Sequence, residues 1–240
     1  MDKPLPNNVQ KNNKSWVVAD CDEVLVRISP KWVHLMHEKE NFDYFNKFFR
    51  LSKDFDIEKS APVILSRPEF YIDKWLMRKD ILENHTIEEI AQAKKRMMDL
   101  YNVPDYYDNL KPTSLGKSLS FAVKNPILER LVIVTRTTPE SLATKERFLK
   151  ELFRGSMNKV DIYYVETNEK KSDVIRNLGN KISSIYEDEI SNIEDIVTNC
   201  NNLEYCQLFI PSYGYNVNVP TEIFDLAKKN KNKIIYYNDK

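Results

Sequence analysis

The sequence predicts an α/β protein: a parallel sheet with helices on both faces, and a helical subdomain inserted after the first strand. Three observations predict it. Five short apolar runs read as buried strands, helical segments alternate with them from the second run onward, and nearly a hundred residues separate the first run from the second. One crossover needs far fewer residues than that, so the gap reads as an inserted subdomain.

The elements follow in order. The lead, MDKPLPNNVQKNNKS at 1–15, is polar, lacks an apolar targeting core and is expected to be disordered. WVVA at 16–19 is the first strand. The insertion, 27–124, is helical in composition, with PKWVHLMHEKENFDYFNKFFRL, PEFYIDKWLMRKDIL and TIEEIAQAKKRMMDLY. The last opens on a capping box, Thr86 with Glu89 three residues on. LGKS at 115–118 has the ending of a phosphate-binding loop, but that loop's first glycine would fall at Lys111, so it reads as a turn before a helix. LVIVT at 131–135, VDIYYV at 160–165, ISSIY at 182–186 and CQLFI at 206–210 continue the sheet, with KIIYY at 233–237 a candidate sixth strand. Helices are expected at 139–153, 170–180 and 191–201. Residues 16–26 and 125–240 thus form a Rossmann-like core domain interrupted by the insertion.

Composition narrows the partners. With 240 residues the chain can bury a sizeable core, and its 36 basic and 36 acidic side chains cancel. No global field draws it to nucleic acid or an anionic membrane, so any nucleic-acid contact must be local. Three cysteines, Cys21, Cys200 and Cys206, form no C-x-x-C pair and suit a reducing compartment. No stretch is long and apolar enough to span a bilayer, so a cytoplasmic protein is expected. The composition leaves the oligomeric state open.

In an open parallel sheet, ligands bind at the carboxyl ends of the strands. Those ends carry Asp20 and Asp22 after strand one, Thr135 and Arg136 at strand two, Lys170 and Lys171 after strand three, and Glu187 and Asp188 after strand four. Carboxylates so close would raise one another's pKa unless a cation neutralised them, and Mg²⁺ prefers such oxygens and bridges them to phosphate. A carboxylate there can attack phosphorus while a second one moves protons. Thr135 and the backbone N–H after it can hold a phosphoryl oxygen, and a lysine can offset charge developing in the transition state.

This pattern resembles the haloacid dehalogenase (HAD) superfamily, from about Trp16 to Ile210. DCDEVL at 20–25 is similar to its D-x-D motif, which implies Asp20 as nucleophile and Asp22 as general acid/base. LVIVT carries the phosphate-binding role to Thr135, with Arg136 beside it. KKSDVIRNL carries the lysine role to Lys171, with Lys170 as fallback. YEDEISNI implies Asp188 as main metal ligand and Glu187 in support, with Asp20, Asp22 and the Asp22 carbonyl completing a Mg²⁺ site. Glu23 departs from the family, which favours a small or polar residue there. The insertion falls where the family places a C1 cap.

The resemblance implies a Mg²⁺-dependent phosphomonoesterase acting through an aspartyl-phosphate on a small phosphate ester, such as a (deoxy)nucleoside monophosphate. The alternatives are a polynucleotide end phosphatase, a sugar phosphatase, or a non-catalytic protein binding a phosphorylated ligand. The acidic cluster disfavours a metal-free dehalogenase. Substrate choice is expected from the cap, with Phe45 or Phe49 in the leaving-group pocket.

Overall fold

The computed structural model describes residues 16–166 and 168–238, so the polar lead at 1–15 lies outside the described residues. Six parallel strands form one sheet: β1 (Trp16–Ala19), β2 (Arg130–Arg136), β3 (Val160–Val165), β4 (Ile182–Tyr186), β5 (Gln207–Pro211) and β6 (Lys233–Tyr237). Their spatial order is β3-β2-β1-β4-β5-β6. The helices are α1 (Ser29–His37), α2 (Lys39–Phe45), α3 (Ile57–Leu65), α4 (Ile72–Leu76), α5 (Ile81–Asn84), α6 (Ile87–Tyr101) and α7 (Ser114–Ala122) between β1 and β2. They continue with α8 (Pro139–Leu152), α9 (Lys171–Leu178), α10 (Ile190–Asn199) and α11 (Thr221–Lys229).

The two-residue period of β2 divides the core. Val132 and Val134 pack with Ile175 of α9, Ile193 and Ile196 of α10 and Ile223 of α11. Leu131 and Ile133 face the other way, onto Leu119 of α7, Leu149 of α8 and the loop residues Leu25 and Val26. Helices therefore cover both faces, as expected for a parallel sheet whose inner strand β2 is apolar on both. None of the described helices is long and apolar enough to cross a membrane.

A third cluster lies wholly within the insertion. Val33, Met36, Phe45, Phe49, Ile64, Ile72, Ala93 and Met97 bury one another there. The 30–51 stretch is broken at Glu38, whose extended backbone separates α1 from α2, and Phe49 then bridges to Met77. The capping box of α6 forms as the sequence predicts: Thr86 Oγ1 accepts from Glu89 N, and Glu89 Oε2 accepts from Thr86 N.

LGKS corrects one expectation, because it sits inside α7 rather than in a turn. Thr113 caps that helix by accepting from Gly116 N at 2.9 Å, while its own hydroxyl donates to Val24 O. The glycine serves packing, since a Cβ there would come within 2.5 Å of Leu25 O. Residues 101–123 join the cluster under the sheet, so the insertion's separate core ends near Met97.

Candidate active site

Asp20 and the Glu187-Asp188 pair meet because β1 and β4 are neighbours. Asp20 N donates to Tyr186 O at 2.9 Å, extending the ladder by one bond, and the chain then leaves the sheet at both strand ends. This is the point where the strand order reverses direction, so the crevice beyond it is open to a ligand. Lys171, at the first turn of α9, reaches across from the β3 side. Its Nζ lies 2.8 Å from Asp20 Oδ2 and 2.8 Å from Glu187 Oε2. Lys170 instead points outward and pairs with Asp195 at 3.4 Å.

Carboxylate oxygens of Asp20, Glu187 and Asp188 lie within 4.8 Å of one another, all three residues buried. Three carboxylates stand against one ammonium. Burial pushes Glu187 up to about 7, with Lys171 opposing and the Asp20 charge adding to the rise. Asp188 is pushed well above the usual carboxylate range by burial, then by Glu187 and Asp20. Burial disfavours the Lys171 charge, yet Asp20 and Glu187 outweigh it and hold the ammonium above its ordinary value. A compact all-oxygen set with surplus negative charge fits a small hard cation.

The partners of the acidic pair differ. Glu187 has both oxygens engaged, Oε2 by Lys171 and Oε1 by Asn192 Nδ2 and Glu189 N. Asp188 accepts at Oδ2 from Tyr215 OH at 2.7 Å, and its carbonyl accepts from Asn216 Nδ2. The Tyr215 ring lies under the Arg67 guanidinium at 4.5 Å, which ties this ligand candidate to the insertion. Gly214 makes that approach possible. Its N–H donates to Leu65 O at 2.9 Å, and a Cβ would fall 2.1 Å from Ser66 O.

Asp22 stands apart from this cluster, against the expectation that its carboxylate joins the metal ligands. Lys145 Nζ donates to its Oδ2 at 2.9 Å, Tyr101 OH to Oδ2 at 3.0 Å and Tyr107 OH to Oδ1 at 2.5 Å. Three donors hold the side chain toward α8 and the end of α6. Lys145 also donates to Thr135 Oγ1 at 3.3 Å, so the acid/base candidate and the phosphate-binding candidate share one buried ammonium. Arg136 Nη1 is held by Glu189 and Asn192.

These groups open into a cavity of about 630 Å³ between the sheet edge and the insertion. Asp20, Asp22, Thr135, Arg136, Lys171 and Asp188 line its floor. Its roof comes from α1, α6 and the 67–73 segment, including Trp32, Phe70, Ile72, Met97 and Met98. Phe45 and Phe49 do not line it. They are 0% and 1% exposed inside the insertion's own core, Phe45 at the end of α2 and Phe49 beyond it at its bridge to Met77, in one cluster with Ala93 and Met97 of α6.

Lys145, Tyr101 and Tyr107 were not evident as site residues from the sequence. A lysine in an amphipathic helix reads as solvent-facing, and the tyrosines read as core. The only sequence signal is position: Lys145 lies a little under two turns into the helix that follows the Thr135 strand end.

No protein-family model and no curated protein matches the chain. Among solved structures it is similar to a HAD hydrolase of family IA, variant 3, from Entamoeba histolytica HM-1:IMSS, at 14% identity and TM-score 0.47 over 92% of each chain. It is also similar to a HAD-superfamily hydrolase of subfamily IA, variant 1, from Geobacter sulfurreducens PCA, at 14% identity and TM-score 0.46 over 91% of this chain and 98% of that one. A haloacid dehalogenase-like family hydrolase from Xanthomonas campestris is similar at 10% identity and TM-score 0.42, over 90% of this chain and 97% of that one.

Proposed function

We propose that this chain is a HAD-superfamily phosphohydrolase, a Mg²⁺-dependent phosphomonoesterase that works through an aspartyl-phosphate on Asp20. The observation that carries the reading is Lys171 set 2.8 Å from both Asp20 and Glu187, with Asp188 beside them at the floor of a substrate-sized cavity.

Asp20, Asp188 and, in support, Glu187 would hold the cation, with the Asp22 carbonyl a further oxygen. When bound, Mg²⁺ offsets charge on the phosphoryl oxygens. Lys171 restrains Asp20 and would oppose the same charge. Thr135 and Arg136 hold the remaining phosphoryl oxygens. A carboxylate oxygen of Asp20 attacks phosphorus as the bond to the leaving oxygen breaks, and Asp22 gives that oxygen a proton. Asp22 then takes a proton from the water that attacks the aspartyl-phosphate, which releases inorganic phosphate and restores Asp20. Because Tyr101 ends α6, whose Ala93 and Met97 lie in the insertion's own core, movement of that helix would change one of the three bonds that orient Asp22.

The substrate is a small phosphate ester, since the cavity is closed by the insertion on one side and the sheet on the other. A nucleoside monophosphate is the first such ester to try. The test is release of phosphate from a panel of monoesters with Mg²⁺ present, for the native protein and Asp20→Asn. Hydrolysis that needs neither Asp20 nor the metal defeats the proposal.

A further inference from the structure

Glu23 is placed where a side chain is costly. Its φ of +57 lies in the left-handed region that glycine adopts freely. The chain nevertheless carries a carboxylate there, in the turn after the D-x-D motif. The turn is tightly defined: Glu23 N donates to Val26 O at 2.7 Å, and Glu23 O accepts from Tyr213 OH at 2.7 Å. The side chain is 4% exposed and lines the cavity. Its Oε1 accepts from Ser29 N at 2.6 Å, which fixes the carboxylate plane. Its Oε2 is buried and receives no hydrogen bond within distance among the described residues, with the Ser29 hydroxyl the side-chain donor beside the carboxylate. Arg67, the neighbouring cation, directs three of its five N–H groups to Ile64 O and Phe70 O and makes no hydrogen bond to Glu23 among the described residues. Across the cavity, Asp73 and Lys94 satisfy each other at 3.0 Å.

A carboxylate oxygen held in one orientation, buried and receiving no hydrogen bond is an acceptor awaiting a partner, because leaving such an atom unmatched is costly. Opposite the charged floor the cavity wall is largely apolar, with Ile28, Trp32, Phe70, Ile72, Met97 and Met98. Sites of this kind fix a ligand's orientation with few polar groups among many apolar ones.

We propose that Glu23 reads the leaving group: its Oε2 accepts a hydrogen bond from a hydroxyl or N–H on the alcohol part of the ester. Resting on the phosphomonoesterase reading, this makes the preferred substrate a phosphate monoester whose leaving group pairs an apolar face with a hydrogen-bond donor. A pocket built to pair with a donor discriminates strongly against an isostere that lacks it.

Hydroxyphenyl and aminophenyl phosphates, substituted at each ring position, are compared with their methoxy and methyl counterparts. Phenyl phosphate is the reference that reports the phosphatase reading by itself. For the native protein, at least one donor-bearing isomer should exceed its methoxy counterpart in kcat/KM by about tenfold or more. Glu23→Gln places an amide against the ligand's donor and should bring that ratio to near one or reverse it. Glu23→Gly relieves the left-handed backbone, so it should collapse the ratio with an unchanged or higher melting temperature. Ratios near one for every isomer of the native protein overturn the inference even if phenyl phosphate is hydrolysed. So does a Glu23→Gln protein that keeps the ratio and needs more Mg²⁺, since Glu23 would then serve the metal. If no ester turns over, the same pairs are compared by the shift each gives to the melting temperature. Equal shifts, or none, also overturn it.

Discussion

The ammonium of Lys145, wholly buried in α8, lies 2.9 Å from Asp22 Oδ2. That ion pair crosses from a core helix to the turn after β1 and fixes the side chain assigned to proton transfer. Removing the lysine leaves Asp22 with two tyrosine hydroxyls and no cation. Lys145→Met should therefore lower stability by about 3 kcal/mol, the scale for breaking a buried pair from one side. Urea unfolding checks it, and a loss under 1 kcal/mol would mean the pair contributes little.

Asp20→Asn should abolish phosphate release, by on the order of 10³-fold or more, while the protein still folds, because the amide keeps the shape and loses the attack. Asp22→Asn should behave differently. It should slow esters with poor leaving groups most and leave residual turnover on esters whose leaving oxygen needs no proton. Equal loss on both kinds of ester would remove Asp22 from the acid role.

Chelation should stop turnover, and Mg²⁺ should restore it. Because the cation binds the folded state, it should also raise the melting temperature, with about 2.7 kcal/mol gained at a hundredfold excess over Kd. Asp188→Asn should erase that gain. A Mg²⁺-induced shift that survives this substitution would place the cation elsewhere.

Phe45→Ala or Phe49→Ala should cost about 3–5 kcal/mol, since each ring is buried in the insertion's own core. All activities should fall together as the insertion loosens. A changed ranking of substrates with native stability would return these rings to the pocket wall.

Gly214→Ala should disturb the proposed metal site from outside it. The added methyl must push the 65–67 segment away, and Tyr215, the next residue, loses its seat against Asp188. Mg²⁺ affinity should weaken by about tenfold, the scale of losing a partner that orients a ligand. Titration of the melting temperature with Mg²⁺ measures it.

The strands were legible because β2 is a buried apolar run and the others are short runs rich in β-branched and aromatic residues with isolated polar ones; every one lies within a residue of its predicted position. Strand ends then placed Asp20, Lys171, Glu187 and Asp188 on one edge from topology alone. Periodicity could not show which neighbour an amphipathic helix meets. Phe45 and Phe49 look alike whether they face a ligand or α6. Lys145 in α8 is indistinguishable from a solvated lysine until the helix is docked and its ammonium meets Asp22. Gly116 in LGKS is the same kind of case, since its reason is the approach of Leu25 O, a residue distant in sequence.

The placement of β1 bears on how the protein is assembled during synthesis. Trp16 pairs with Arg130 on one side and with Ile182 on the other, so the central strand is made long before either neighbour exists. The insertion, with its own hydrophobic cluster, can condense on the ribosome in that interval and shorten the loop that must later be closed. Until β2 arrives, Trp16 to Ala19 is an apolar segment with both edges unpaired. The nascent chain is then most prone to aggregate, and the sheet's slow step is the return of distant sequence to its first strand.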